Sequence, residues 1–258
     1  MIELGGKRLE TAWWSPPADA APTLVLLHEG LGCVALWRDF PERLAAATGY
    51  GVFAWSRPGY GKSDTIPLPW PVSYMHDEAL HRVNSVLDAA GVRRCILVGH
   101  SDGASIAAIY AGGVSDARVR GLVLMAPHYF VEPMCIAEIE RARDIYEQGG
   151  LRTRLARYHD NVDIAFRGWN GAWLNPAFRD WDIRDFLPYI RVPVLQVQGT
   201  DDPYGTTEQT DAMEAGAMSP VETVLVEGGH SPYLQAAEPT LVAITRFAHH
   251  LFRVHEPS

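Results

Sequence analysis

Between residues 23 and 226 the chain repeatedly passes from a short, near-continuous apolar run into a glycine-bearing loop and then into a helix-length stretch. Residues 23–27 lead into His28-Glu29-Gly30-Leu31-Gly32, and helical sequence follows over about 35–47. Residues 51–55 lead into Ser56-Arg57-Pro58-Gly59-Tyr60-Gly61, followed by a helix candidate at 72–90 that Gly91 ends. Residues 95–98 lead into Gly99-His100-Ser101-Asp102-Gly103 and a small-residue helix to about Ala111. Further runs at 122–125, 193–197 and 221–226 end at Ala126-Pro127, Gly199 and Gly228-Gly229-His230, and a last helix spans about 239–253. Apolar runs without polar alternation, separated by helices, predict a mostly parallel sheet covered on both faces. In such α/β sheets ligands gather in the loops after the carboxyl ends of the strands.

The alternation fails between Pro127 and Val192. That stretch reads as short helices, including 136–148 and 151–158, and it is rich in tryptophan and arginine. With no linker or repeat beside it, it reads as an insertion at residues 128–191 in one domain, whose core is formed by 1–127 and 192–258. A chain of 258 residues can bury such a core without disulfides or metals. The three cysteines, Cys33, Cys95 and Cys135, are too few and too scattered for a disulfide framework or a zinc site. A net charge of -9 and the lack of any basic run argue against nucleic acid or an anionic membrane as partner. No apolar run approaches a membrane span, and the first residues carry no apolar signal core, so a soluble, cytoplasmic protein is expected. The expected partner is a small-molecule substrate, and the sequence leaves room for a homo-oligomer.

Gly99-His100-Ser101-Asp102-Gly103 fits Gly-x-Ser-x-Gly between a strand and a helix. A sharp strand-to-helix turn exposes the serine hydroxyl at the helix N-terminus, and flanking glycines let other backbone come close. Ser101 is therefore the candidate nucleophile. His230, in a loop at the same sheet edge, is the candidate base. Of the other histidines, His249, His250 and His255 read as surface, His128 and His159 belong in or beside the insertion, and His100 is expected to point away from the nucleophile. Asp201 and Asp202 both follow a strand and could orient the base, giving the chain order serine, acid, histidine.

These features together resemble the α/β-hydrolase family over nearly the whole chain, from about Leu24 to the last helix. The resemblance rests on the loop at 28–32, the Ser56-Arg57-Pro58-Gly59-Tyr60-Gly61-Lys62-Ser63 stretch, the serine turn, Gly199-Thr200-Asp201-Asp202 and Gly229-His230-Ser231-Pro232. It is closest to small-molecule members: esterases, enol-lactonases and carbon–carbon bond hydrolases. It implies that the insertion is a helical cap over the site and that no cofactor or metal is needed. It favours Asp202 as the acid, three residues after Gly199; Pro203 also keeps Asp202 out of the helical region. It implies an oxyanion hole made by the Asp102 N–H and a donor from the loop at 28–32. His28-Glu29-Gly30 departs from the usual His-Gly there, so the donor is Glu29 or Gly30, with Gly30 preferred. Glu29 reads as a general acid or, better, as a salt-bridged loop carboxylate. Haloalkane dehalogenases and epoxide hydrolases of this fold carry aspartate where Ser101 stands.

Trp37, His128, Trp169 and Trp173, with Glu29, are candidates to contact substrate, although packing accounts equally well for the tryptophans. Arg57 could bind a substrate carboxylate or serve its own loop. The expected activity is hydrolysis of a carboxylic ester of a small or medium-sized substrate through an acyl-enzyme. The alternatives are carbon–carbon bond or enol-lactone hydrolysis with the same triad and, more remotely, a non-catalytic receptor on this scaffold.

Overall fold

The structure is a computed structural model that describes residues 1–253, so His255 lies outside the described residues. The chain opens with a small hairpin, β1 (Ile2–Leu4) and β2 (Lys7–Leu9), joined by Gly5 and Gly6, both at positive φ. The strands that follow are β3 (Thr11–Trp14), β4 (Thr23–Leu27), β5 (Gly51–Trp55), β6 (Cys95–His100), β7 (Val119–Met125), β8 (Val194–Gly199) and β9 (Val221–Val226). They form one sheet in the order β3-β5-β4-β6-β7-β8-β9. Only β3 runs antiparallel to its neighbour, and every other adjacent pair is parallel. The protein thus has the α/β-hydrolase fold, a mostly parallel sheet between helices. The first three strands were not legible beforehand because they are short and mix polar with apolar residues.

The helices are α1 (Phe40–Thr48), α2 (Tyr74–Glu78), α3 (Asn84–Ala89), α4 (Asp102–Gly113), α5 (Pro133–Glu147), α6 (Gly150–Leu155), α7 (Val162–Trp173), α8 (Glu208–Gly216), α9 (Pro232–Gln235) and α10 (Ala237–Arg253). Strand side chains alternate between the two faces of the sheet. Leu24, Leu26, Ile96, Val98, Val123 and Met125 pack with Phe40 and Leu44 of α1 and with Ile244, Phe247 and Ala248 of α10. Val25, Leu27, Leu97, Leu122 and Leu124 pack on the other face with Val86 and Leu87 of α3 and with Ile106 and Ile109 of α4. Burying both faces explains why these strands read as continuous apolar runs.

Several helices differ from expectation. The stretch at 35–47 is a 3₁₀ turn, Val34–Trp37, followed by α1, with a break at Arg38 (φ 56°) and Pro41 in the first turn of α1. The stretch at 72–90 is α2 and α3 joined by a π-helical turn, Ala79–Val83. Between β7 and β8 lie α5, α6, α7 and two 3₁₀ turns, Pro176–Asp180 and Arg184–Tyr189. Helix α7 had not been delineated, although Val162, Ala165, Phe166, Trp169, Ala172 and Trp173 repeat at helical spacing and are all buried.

Candidate functional site

Strand β6 delivers Ser101 to a turn at φ 52° and ψ -120°, a conformation that costs an L-residue energy and is held by its surroundings. The Ser101 N–H donates to the Met125 carbonyl (2.9 Å) and fixes the turn against the end of β7. Side chains are excluded at the flanking glycines. A Cβ on Gly103 would lie 2.0 Å from the Leu27 carbonyl oxygen, and one on Gly99 would lie 2.4 Å from the Gly103 carbonyl oxygen. Helix α4 therefore docks close on β4 with its N-terminus under Ser101. The Asp102 and Gly103 N–H groups fall in its first turn, where helix geometry supplies no acceptor.

His230, two residues before α9, places Nε2 2.8 Å from Ser101 Oγ. Its Nδ1 lies 2.9 and 3.0 Å from the two oxygens of Asp202, in the turn after β8. Asp202 accepts further bonds from the Tyr204 N–H (2.8 Å) and Gln198 Nε2 (2.9 Å). Burial would raise the Asp202 carboxyl, but the hydrogen bond and charge of His230, with these two donors, hold it below the ordinary aspartate value. It is ionised and accepts from Nδ1–H, which leaves Nε2 free to take the serine proton. Asp201 is exposed, and its carboxylate accepts from the Thr200 hydroxyl (3.3 Å). Its N–H donates to the Gly228 carbonyl (2.9 Å) and ties the acid turn to the histidine turn.

The loop at 28–32 is clamped from below by Arg57, 3% exposed. The Arg57 guanidinium donates to the carbonyl oxygens of His28 and Glu29, and its N–H donates to His28 Nε2 (3.0 Å). His28 then donates from Nδ1 to the Glu29 carbonyl (2.7 Å), a tautomer fixed by this network. His159 braces the same loop, donating to the Leu31 carbonyl and accepting from the Gly61 N–H (2.9 Å). Arg57 thus serves its loop and is absent from the wall of the cavity over Ser101. Trp169 lies across Gly30, where any Cβ would fall 2.0 Å from the indole nitrogen.

A cavity of about 240 Å³ opens over Ser101. Its wall includes Glu29, Gly30, Asp102, His128, Trp169 and Trp173 from the sequence reading, together with Leu31, Cys135, Ile139, Tyr204 and Ser231. Helices α5 and α7 thus contribute part of the wall. Trp37 is placed differently from expectation. It is buried against Phe40 (5.8 Å between ring centroids), Tyr233 (4.9 Å) and His100 (6.5 Å), and it is absent from the cavity wall. The break at Arg38 turns its segment into the core. His100, expected to point away from the nucleophile, is absent from the cavity wall. Its Nε2 donates to the His230 carbonyl (2.6 Å), and its Nδ1 faces Glu29 Oε2 at 3.5 Å. The Glu29 carboxyl, which burial alone would raise, is held below its ordinary value by this ring. Glu29 is therefore a paired loop carboxylate.

Asp102 lines the cavity, and its carboxylate accepts from the Tyr74 hydroxyl, which accepts from Trp173 Nε1 (2.9 Å). Tyr204 went unnoticed in the sequence. Its ring centroid is 4.5 Å from that of His230. Its place two residues after the acid was the available signal. The Cys135 thiol is pushed well up by burial and is no rival nucleophile. His128 is held neutral, its imidazole brought down to about 3 by burial and by the charge of His230. A larger, open concavity of about 800 Å³ is lined by residues such as Gly113, Val119 and Arg191, beside the start of β7. It contains none of the hydrogen-bonded groups just described.

A serine on a strained strand-to-helix turn, a histidine and an ionised aspartate, joined in that order beneath a cavity, define the serine-nucleophile class of α/β-fold enzymes. The sequence profile of the Alpha/beta hydrolase family matches residues 24–243, and the chain belongs to that family. It is 35% identical over 111 residues to epoxide hydrolase B of Mycobacterium tuberculosis, a match covering 43% of this chain and 30% of that protein. It is 35% identical over 136 residues to the 2-hydroxy-6-oxononadienedioate/2-hydroxy-6-oxononatrienedioate hydrolase of Paraburkholderia phymatum, covering 50% of this chain and 46% of that one. These matches span less than half the length of either relative. The crystal structure of the enol-lactonase from Burkholderia xenovorans superposes with a TM-score of 0.72 at 19% identity, covering 95% of this chain and 97% of that chain, and it bears on the fold alone.

Proposed function

We propose that the protein is a serine hydrolase that cleaves carboxylic esters of small or medium-sized substrates through an acyl-enzyme. The observation that carries this reading is the continuous hydrogen-bonded path from Ser101 through His230 to Asp202, at 2.8 and 2.9 Å. His230 takes the Ser101 proton as Oγ attacks the carbonyl carbon, and Asp202 holds the ring and stabilises the imidazolium. The tetrahedral oxyanion accepts from the Asp102 N–H and from a backbone N–H of the loop at 28–32, that of Glu29 or Gly30, with Gly30 preferred. The imidazolium protonates the departing alcohol. Water, deprotonated by His230, then attacks the acyl group, and Ser101 recovers its proton as the acid leaves. Helices α5 and α7 act as a cap that limits substrate size through Trp169 and Trp173. No step calls for a cofactor.

Carbon–carbon bond or enol-lactone hydrolysis with the same triad is the second reading, its carbon–carbon part supported by the similarity to the nonadienedioate hydrolase. Epoxide hydrolysis fits less well, because Ser101 stands where that chemistry on this fold uses aspartate. A panel of esters, lactones and dienoate ring-cleavage products assayed with the wild type and Ser101→Ala separates the readings. Turnover of simple esters, lost on the order of 10⁶-fold in Ser101→Ala, is expected. Turnover of dienoates with no ester turned over would replace the first reading by the second.

A further inference from the structure

The wall of the Ser101 cavity carries acidic and aromatic side chains and, among the described residues, no lysine or arginine. Glu29 stands in the wall with its side chain 23% exposed. Asp102 also lines the cavity, and Asp202 lies behind His230. The buried cation nearest these groups, Arg57, is engaged by the carbonyls of the loop beneath and is not in the wall. Trp169, Trp173 and Tyr204 supply aromatic surface. His128 is 2% exposed, and its Nδ1 has no partner among the described residues, a buried polar atom of the sort that ligands often satisfy.

A carboxylate entering this cavity would leave water, meet the ionised Glu29 carboxylate and find no lysine or arginine in the wall to pair with, which is the costly case of burying charge. An ammonium group would meet the opposite situation. The Glu29 carboxylate and ring faces both attract it, and ring faces do so through their quadrupole. His128, neutral in this environment, adds no opposing charge.

We propose that this pocket selects substrates carrying an amino or quaternary ammonium group near the scissile bond and rejects those carrying a carboxylate there, with Glu29 as the main determinant. The proposal deepens the serine-hydrolase reading and rests on it for the reactivity of Ser101. It also separates this chain from its nonadienedioate-hydrolase relative, whose named substrate is a dicarboxylate.

The test uses three alkyl phosphonofluoridates of equal length whose tails end in trimethylammonium, tert-butyl or carboxylate. Ser101 Oγ forms the P–O bond, fluoride leaves, and His230 takes the proton, so the labelling rate followed by mass spectrometry reports how each tail is received. The ammonium probe is expected to label about tenfold faster than the neutral one and the carboxylate probe about tenfold slower. Glu29→Gln should shrink the ammonium-to-carboxylate ratio by about tenfold, and added salt should shrink it less than it would at an open surface. A carboxylate probe as fast as the neutral one, an ammonium probe no faster, or an unchanged ratio in Glu29→Gln overturns the proposal. Unreactive carboxamides with the same tails, titrated against the tryptophan fluorescence of Ser101→Ala, read the same order without needing a nucleophile. If none of the probes labels Ser101, the hydrolase reading falls, while the carboxamide order still decides the charge preference.

Discussion

Asp201 and Asp202 are adjacent in sequence, yet one is exposed beside Thr200 and the other is buried against the imidazole. Pro203 and the Tyr204 N–H, which caps Asp202 Oδ1, set that difference. Asp202→Asn removes the acceptor that fixes the histidine tautomer and should lower kcat by about 10⁴-fold. Asp201→Asn should leave kcat within a few-fold, because only the side chain changes and the N–H to Gly228 stays. Steady-state kinetics on both, with circular dichroism as a check of folding, measure this, and the reverse pattern would move the acid to Asp201. Ser101 and His230 could be read from sequence because each sits in a glycine-marked turn directly after an apolar strand. The partners of His100 and the inward placement of Trp37 could not, because the one depends on a segment more than a hundred residues away and the other on a break at Arg38. Which way a side chain leaves a turn depends on packing that periodicity does not encode.

Helix α7 gives the clearest case at the scale of elements. It brings Trp169 onto Gly30 and links Trp173 to Tyr74, so one helix touches both the loop at 28–32 and, through Tyr74, Asp102. Trp169→Ala should open the cavity above Gly30 and raise kcat/KM for bulky acyl groups relative to acetyl by about tenfold, the scale that one or a few methylenes command in an apolar pocket. Trp173→Ala breaks the bond to Tyr74 as well, so it should also lower kcat for the small substrates. Competition assays with acyl chains of graded length measure both, and folded variants with unchanged ratios would remove α7 from substrate selection. The parallel strands were legible because burial on both faces makes them apolar throughout. The helices between β7 and β8 were harder to delineate because glycine, asparagine and arginine interrupt their apolar stripe. The edge strand β3 escaped notice because its partner β5 is distant in the chain and its four residues are only partly buried.

Across the whole molecule, three buried histidines at the loops around the site, His28, His128 and His159, are held neutral. Burial lowers His28 well below the ordinary histidine value, lowers His159, and brings His128 to about 3. The unfolded chain takes up these protons near pH 6.5, while the folded protein resists until much lower pH. Stability is therefore fully present above about pH 6.5 and is lost progressively as pH falls toward the folded values. The depressed Asp202 carboxyl adds to the loss in the range below the ordinary aspartate value. Thermal unfolding from pH 7 to pH 4 should show a falling Tm, with a shallower slope in His128→Gln. An equal slope in that variant would place the acid sensitivity elsewhere.

The serine and its base are 129 residues apart. At a synthesis rate of about 5–20 residues per second, the nucleophile turn leaves the ribosome on the order of ten seconds before the histidine does. Throughout that interval the chain that carries Ser101 has no His230 to accept from its hydroxyl. Chain order thus works as a delay fuse, in which the reactive atom is made early and armed last. A polypeptide stalled anywhere before β9 lacks His230 and with it the hydrogen bond to Ser101 Oγ.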